Sequence, residues 1–208
     1  MLRDTRKARN INTFKRFQDM TKILFVCHGN ICRSPMAEFV MKDLVKKAGV
    51  ENRFHIESAA TSTEEIGNPV YPPARRKLAE HSIDCTGKTA RQLIRADYDR
   101  CDLLIGMDRA NLRDMGHVCG GDPDGKLCLL MDCTDRRKGA PAKPSFRLCG
   151  ERSRSGMSEL SASVGSEGYE ACGDDVADPW YTGDFEITWR DVLAGCQSLL
   201  SQLQNTGC

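Results

Sequence analysis

A short apolar run, a polar loop and an amphipathic run stand next to one another near the start of the sequence. Residues 23–26 read Ile-Leu-Phe-Val, which has the length and content of a buried strand. Residues 27–35 follow as Cys-His-Gly-Asn-Ile-Cys-Arg-Ser-Pro. Helical spacing then connects the apolar residues Ala37, Val40, Met41, Leu44 and Val45. The sequence therefore predicts a tight loop between a strand and a helix.

The loop has the residue types of an oxyanion site. Gly29 accepts backbone conformations closed to other residues, and Asn30 is among the few side chains that tolerate the left-handed region. The N–H groups of such a loop, and of the helix starting near Ser34, can point at an anion. Arg33 offers a planar fork for two phosphate oxygens. In this field Cys27 should be a thiolate at neutral pH, unless it is simply a buried core thiol beside an ordinary turn.

Residues 27–35 resemble the phosphate-binding loop of the low-molecular-weight protein tyrosine phosphatases. That loop is C-x5-R-S, commonly written with G-N-x-C-R-S-P. The resemblance covers about residues 20–136 and 174–204. It implies that Cys27 and Arg33 are catalytic. It further implies a phosphate-binding set made of His28, Gly29, Asn30, Ile31, Cys32 and Ser34.

Two further stretches resemble segments that support the loop in this family. Residues 54–60 read as a second strand, and Ser58 matches a serine that helps to order the phosphate loop through Asn30. Residues 88–93 resemble the family's H-x-A-R-Q stretch, but Lys88 stands where the family has histidine. The replacement puts the wiring of the hydrogen-bond network around the loop in doubt.

Two more landmarks lie in the second half of the chain. Residues 107–112 resemble the family's M-D-x-x-N-L, in which Asp108 either caps the next helix or has a role in the site. Residues 176–181 resemble the D-P loop that is followed by two aromatic residues. The resemblance implies that Asp178 is the general acid.

The substrate cleft is expected between this loop and residues 61–70, whose Gly-Asn-Pro sequence is typical of a turn. Trp180 and Tyr181 should form an apolar wall for an aryl group. The family often has a bulky aromatic residue at the position that aligns with Glu64. A carboxylate there should disfavour acidic phosphopeptides, unless it points into solvent.

The resemblance implies an α/β fold in a single domain: a four-stranded parallel sheet with helices on both faces and the phosphate-binding loop after the first strand. Further strands are predicted at residues 102–107 and 126–131. A helix should begin at Pro72 and end near His81. The final helix is predicted from the periodic residues Trp189, Val192, Leu193, Cys196, Leu199, Leu200 and Leu203.

The expected domain spans residues 20–204 and is flanked and interrupted by atypical stretches. Residues 1–19 are basic and polar, which is typical of a disordered extension or an over-long start assignment, with a basic binding arm as the alternative. Residues 137–173 are rich in Ser, Gly, Ala and charge. So long a run with few large apolar residues predicts a disordered insertion.

Charge and cysteine content restrict partners and compartment. The 208 residues carry a net charge of +1, which argues against general nucleic-acid binding. No apolar run approaches the roughly 18 residues of a membrane span, and no signal peptide opens the chain. The sequence has 11 cysteines, but the need for a free thiolate at Cys27 favours a reducing cytoplasm. We expect a cytoplasmic monomer that binds neither nucleic acid nor a membrane.

The chemistry implied by the resemblance is hydrolysis of phosphotyrosine in substrate proteins, and of small aryl phosphates, through a phosphocysteine. Arg33 and the loop amides supply the positive field, so no metal and no cofactor are expected. Three alternatives stay open. A protein-arginine phosphatase of this fold would carry threonine at Ile31, and a thioredoxin-coupled arsenate reductase would need two more cysteines near Met107. A non-catalytic phosphate-binding module would need neither Cys27 nor Asp178.

Overall fold

Strand β1 (Thr21–Cys27) lies in the interior of a four-stranded parallel sheet, between β2 (Phe54–Ala60) and β3 (Leu103–Gly106). Strand β4 (Leu127–Leu129) pairs with the other side of β3, which gives the order β2-β1-β3-β4. The computed structural model describes residues 20–134 and 175–205. The predicted four-stranded parallel sheet is confirmed.

Helices cover both faces of the sheet. They are α1 (Arg33–Lys47), α2 (Pro72–Glu80), α3 (Arg95–Arg100), α4 (Arg109–Cys119), α5 (Pro179–Thr182) and α6 (Phe185–Asn205), with short 3-10 helices at Glu51–Arg53 and Leu130–Cys133. Alternate residues of β1 point to opposite faces, as in any strand. Ile23 and Phe25 pack in the core with α1 and α6, whereas Leu24 and Val26 pack in the core with α3 and α4.

The register of the sheet positions the loop after β1. Cys27, the last residue of β1, pairs with Ala60, the last residue of β2. The chain after β2 then stays beside the loop, because Thr61 N donates to Cys27 O at 2.9 Å and Ser62 N donates to His28 O at 3.0 Å. The carboxyl ends of parallel strands therefore bring residues 27–32 and 61–65 together.

Most predicted elements are present, with two differences. The fourth strand ends at Leu129, and residues 130–133 turn into a 3-10 helix whose Leu130 is fully buried, so the predicted strand over residues 126–131 is wrong in its second half. Helix α3 was not predicted at all. The proposed extension at residues 1–19 and the proposed insertion at residues 137–173 lie outside the described residues.

No helix in the described part of the chain combines the length and the apolar content needed to cross a membrane.

Candidate functional site

The loop after β1 closes around a buried cysteine. Cys27 is 3% exposed, and α1 begins at Arg33 directly after the loop. Asn30 has φ +56°, so it takes up the left-handed conformation anticipated for this position. Gly29 does not have a positive φ, so it does not use the left-handed conformation that glycine readily accepts. A Cβ at Gly29 would lie 3.1 Å from Cγ of Glu65, so the glycine instead allows a close approach of the neighbouring loop.

A chain of buried hydrogen bonds leads from the thiol of Cys27 to a carboxylate. Cys27 Sγ lies 3.1 Å from Ser34 Oγ, and Asn30 Nδ2 lies 2.8 Å from that same oxygen. Asn30 Nδ2 also donates to Ser58 Oγ at 2.7 Å. Ser58 Oγ in turn donates to Glu38 Oε2 at 2.6 Å. The first and last groups of this chain are thus connected through three side chains that are almost fully buried.

The carboxylate fixes the direction of every bond in this chain. An ionised carboxylate only accepts, so the single hydroxyl proton of Ser58 goes to Glu38, and Ser58 must accept from Asn30. Ser34 also accepts from Asn30, which leaves its own proton free to point at Cys27. Its other neighbour, the carbonyl of Ala59, is 3.4 Å away. The polarity of the network therefore presents a donor to the sulfur, which stabilises a thiolate.

Four further contacts hold this network in place. Arg91 N donates to Asn30 Oδ1 at 3.2 Å, which orients the amide so that its N–H groups face the two serines. Glu38 is 4% exposed and pairs with Lys88 Nζ at 2.9 Å and with Lys42 Nζ at 2.5 Å. Lys88 also donates to Ser58 O at 3.1 Å. A lysine thus stands at the end of the network, where the resemblance leads one to expect histidine.

Arg33 joins the loop to two distant carboxylates. Its Nη1 lies 2.6 Å from Asp108 Oδ2 and its Nη2 lies 2.5 Å from Asp178 Oδ2. Arg33 is 4% exposed. Burial opposes its positive charge, but Cys27, Asp108 and Asp178 outweigh that effect and raise the pKa of Arg33. The guanidinium is therefore a fixed cation beside the sulfur.

Asp108 has both of the roles between which the sequence left a choice. Its Oδ1 accepts from Asn111 N at 2.6 Å and so caps α4, while Oδ2 binds Arg33. Asp178 is likewise the N-cap of the short helix α5, because Oδ1 accepts from Trp180 N at 3.0 Å. Thr188 Oγ1 donates to Ala177 O at 2.8 Å and so fixes the segment before Asp178 to α6. Each aspartate thus presents one oxygen to Arg33 and anchors its own helix with the other.

The comparisons with known proteins agree with this geometry. A family model described as low molecular weight phosphotyrosine protein phosphatase matches residues 22–142. The chain belongs to this family. It is 31% identical over 185 residues to the low molecular weight protein-tyrosine-phosphatase YfkJ of Bacillus subtilis, which covers 89% of this chain and 97% of YfkJ. It is 45% identical over 182 residues to the Rattus norvegicus low molecular weight phosphotyrosine protein phosphatase, covering 86% and 94% of the two chains.

Solved structures of the family share the fold. The crystal structure of YfkJ from Bacillus subtilis superposes with a TM-score of 0.70 over 90% of this chain and 97% of YfkJ. The low molecular weight protein tyrosine phosphatase SP-PTP from Streptococcus pyogenes is 34% identical and has a TM-score of 0.63, covering 88% of this chain and 93% of that one.

The rim of the site in this family member combines charge and exposed aromatic rings. Glu64 Oε2 lies 3.2 Å from Nε2 of His28, so the carboxylate contacts the phosphate loop. Trp180 and Tyr181 are 70% and 86% exposed. Sequence reasoning missed Tyr71, whose ring centroid lies 6.4 Å from that of Trp180 and whose backbone N–H donates to Ile31 O at 2.8 Å. The sequence signal for Tyr71 was its position, an aromatic residue between the 61–70 loop and the helix predicted to begin at Pro72.

Cys32, the second cysteine of the loop, has a raised pKa, whereas an activated thiol has a lowered one. Burial, followed by the nearby charges of Cys27 and Asp178, raises the pKa of Cys32 to about 12. Cys32 is therefore a neutral thiol at physiological pH. Across residues 20–134 and 175–205, no cluster of three or more His, Cys, Asp or Glu side chains is positioned to hold a metal ion.

Proposed function

We propose that this phosphatase-family member hydrolyses phosphotyrosine in proteins, and small aryl phosphates, through a phosphocysteine at Cys27. The observation that carries the proposal is the position of Arg33, which begins the helix after the cysteine loop and contacts Asp178 at 2.5 Å. The proposed nucleophile and the proposed acid, from opposite ends of the sequence, thus share a buried cation. A site for phosphate binding alone needs neither the nucleophile nor the acid.

In the first step the thiolate of Cys27 attacks phosphorus and the bond from phosphorus to the tyrosyl oxygen breaks. Loop N–H groups of residues 28–33 and the guanidinium of Arg33 bind the three non-bridging oxygens. Asp178 acts as the general acid in its protonated form and gives its proton to the departing phenolate oxygen.

In the second step water attacks the phosphocysteine. Asp178 removes a proton from this water, the sulfur–phosphorus bond breaks, and inorganic phosphate leaves with Cys27 again a thiolate. The donor hydroxyl of Ser34, 3.1 Å from the sulfur, stabilises the thiolate as leaving group. Apart from the attacking water, the two proposed steps use side chains and N–H groups of this chain.

The depth of the site supports phosphotyrosine as the substrate. Cys27 is nearly inaccessible, whereas Trp180 and Tyr181 stand exposed at the rim. A phosphate on a phenol ring reaches further than one on a serine hydroxymethyl group. Stacking of the substrate ring on the rim aromatics adds about 0.5–1.5 kcal/mol per pair beyond the area buried.

The family implies that the substrate is a phosphoprotein. We propose that this chain acts on it as a cytoplasmic monomer and binds neither nucleic acid nor a membrane. A thiolate nucleophile needs a reducing compartment. The eight cysteines among the described residues are all free thiols, including Cys27.

Turnover of aryl phosphates by three variants tests the proposal. We expect Cys27→Ser and Arg33→Ala to abolish turnover. Asp178→Ala should lower kcat by about 10²–10⁴, the usual contribution of a general acid, and should leave KM nearly unchanged. The loss should be largest for poor leaving groups. Full kcat of Asp178→Ala on phenyl phosphate would remove Asp178 from this role.

A panel of matched phosphopeptides tests the substrate class. Phosphate release should be far faster from a phosphotyrosine peptide than from its phosphoserine or phosphoarginine counterpart. Faster release from the phosphoarginine peptide would instead support the arginine phosphatase alternative.

A further inference from the structure

A cavity opens beside the phosphate loop and is lined in part by Trp180. Its volume is about 450 Å³, and it is lined chiefly by Cys32, Tyr71, Arg76, Pro179, Trp180 and Phe185. A neighbouring cavity of about 410 Å³ shares Pro73, Arg76, Gly183 and Phe185 with it. The two cavities therefore form one groove, which starts at the phosphate loop and runs between α2 and the beginning of α6.

The part of the groove next to the site is aromatic. The ring of Tyr71 lies 6.4 Å from that of Trp180 and 6.1 Å from that of Phe185, measured between centroids. Trp180 remains 70% exposed, so no described residue covers this ring. Concave sites with aromatic walls and a few polar groups are typical of ligand binding. This part of the groove suits an apolar side chain.

A single uncompensated cation stands where the two cavities meet. Arg76 is exposed and makes no ion pair with any residue in the described ranges. The adjacent Lys77 is neutralised by Glu80 and Glu186, at 2.5 and 3.1 Å. Asp184, which also lines the outer cavity, accepts from the N–H groups of residues 186 and 187 and so caps α6. Arg76 is therefore the cation of the groove that has no carboxylate partner within it.

The loop that packs against residues 28 and 29 has the opposite charge. Glu64 contacts His28, and Glu65 approaches the phosphate loop closely at Gly29. A peptide bound across the site thus meets the carboxylates of this loop and, in the groove, Arg76. This asymmetry points to recognition of residues on one side of the phosphotyrosine.

We propose that this groove is a substrate subsite for the peptide segment on one side of the phosphotyrosine. An apolar side chain occupies the cavity between Tyr71, Trp180 and Phe185, and an acidic residue further along pairs with Arg76. The proposal rests on the proposed phosphotyrosine phosphatase activity and adds a sequence preference to it. Its occupant is a substrate peptide because the groove is continuous with the loop that holds Cys32.

Charge reversal at Arg76 tests the subsite, with Arg75 as the matched control. Both arginines are exposed neighbours on α2, but Arg75 lines neither cavity and faces Asp84 instead. The substrates are phosphotyrosine peptides with Leu beside the phosphotyrosine, followed by Glu, Gln or Lys, built once on the amino side and once on the carboxyl side. A small aryl phosphate, which cannot reach the groove, reports the basal activity.

We expect Arg76→Glu to raise KM for the Glu peptide about two- to fivefold on one side only, as for the loss of an exposed ion pair. The Lys peptide should improve, and kcat on the aryl phosphate should not change. Replacing Leu by Ser in the peptide should also raise KM for the parent enzyme. Equal effects of Arg75→Glu, equal effects on both sides, or no effect would overturn the subsite. An enzyme that hydrolyses the aryl phosphate but no phosphotyrosine peptide would overturn the proposed function itself.

Discussion

Lys88 replaces a histidine of the family at the end of the network that leads to Cys27. A lysine stays charged across the neutral range, whereas an unperturbed histidine loses its charge near pH 6.5. Lys88 holds Glu38 at 2.9 Å, and Glu38 sets the direction of the hydrogen bonds up to Ser34. The charge at this position is therefore linked to the donor that faces the sulfur.

We expect Lys88→Met to lower kcat by about fivefold, which corresponds to about 1 kcal/mol, a typical value for one hydrogen bond. It should also move the pH profile of Cys27 alkylation by iodoacetamide to higher pH. Lys88→His should behave like the parent at pH values where the imidazole is charged and like Lys88→Met where it is neutral. Lys46, an exposed lysine on α1, gives the control Lys46→Met. If Lys88→Met does not change the pH dependence of Cys27 alkylation, Lys88 has no influence on the thiol.

The two loop cysteines predict reversible inactivation by peroxide. The raised pKa of Cys32, about 12, keeps it neutral, so Cys27 is oxidised first. Oxidation to the sulfenic acid removes the negative charge of Cys27, which is one of the causes that raise the pKa of Cys32. The Cys32 thiol then condenses with the sulfenic acid, giving a disulfide and water.

Mass spectrometry after peroxide treatment checks this order of events. The parent should show a Cys27–Cys32 disulfide and recover full activity with dithiothreitol. Cys32→Ser should proceed to sulfinic acid at Cys27 and stay inactive. Sulfinic acid at Cys27 of the parent, with Cys32 unmodified, contradicts the prediction.

Glu64 contacts His28 at the mouth of the site, at a position where the resemblance leads one to expect an aromatic residue. Its carboxylate repels acidic residues of a bound peptide, although exposure and salt screening keep the effect small. Glu64→Gln should therefore improve kcat/KM for an acidic phosphotyrosine peptide relative to a basic one by about two- to fivefold at low ionic strength. An unchanged ranking of the two peptides means that Glu64 has no part in specificity.

At the scale of elements, a glycine determines how closely α6 packs on the 3-10 helix that follows β4. A Cβ at Gly195 would lie 2.5 Å from Cγ of Leu130, which is fully buried in the 3-10 helix after β4. Gly195→Ala gains up to about 1 kcal/mol in helix propensity but forces this contact apart. We expect the free energy of unfolding to fall by about 1–3 kcal/mol in urea titrations.

Ser201→Ala, at an exposed position of the same helix, is the control and should change stability by less than about 0.5 kcal/mol. A Gly195→Ala variant as stable as the parent would show that Leu130 and the helix can separate without cost.

The elements that the sequence predicted are those with long or strongly periodic apolar patterns. Strand β1 and helix α6 fall in this class: apolar residues fill the strand after its first two positions, and in the helix they repeat over several turns. Helix α3 has six residues with only Tyr98 as a large buried side chain, so no period can be seen in it. It depends on tertiary contacts, such as the bond from Tyr98 OH to Asp122 Oδ1 at 2.8 Å.

The candidate site was predictable in its members but not in its connections. The residue types at Cys27 and Arg33 indicate phosphate chemistry without any structure, and the resemblance adds Asp178. The contacts of Asp108 and of Lys88 depend on how separate elements meet, which no local pattern encodes. The role of Gly29 could not be predicted for the same reason, because the side chain that leaves no room for a Cβ there belongs to Glu65 on another loop.

At the scale of the whole molecule, the residues on either side of positions 135–174 are each bound to the rest of the fold by contacts of their own. On one side Gln202 Nε2 donates to Cys133 O at 2.7 Å, and on the other Val176 N donates to Met107 O at 2.8 Å. Loop-closure cost grows by only about 0.6 kcal/mol for each doubling of loop length. The fold should therefore tolerate a change of length in this segment.

Replacing residues 137–173 with a short glycine-containing turn should leave kcat and KM on a small aryl phosphate within a few-fold of the parent. Thermal unfolding of the shortened chain should show a similar Tm, which controls for misfolding. A large loss of kcat with an unchanged Tm means that the segment positions Asp178.

The central claim is that Cys27 carries the phosphoryl group between the two steps. Rapid mixing with a phosphotyrosine peptide, acid quenching within one turnover and mass spectrometry of the digested protein test it directly. The account predicts a phosphate on Cys27 that forms as fast as tyrosine is released and disappears as inorganic phosphate appears. Tyrosine release with no phosphate on Cys27 at any time, or with phosphate on another residue, would contradict it.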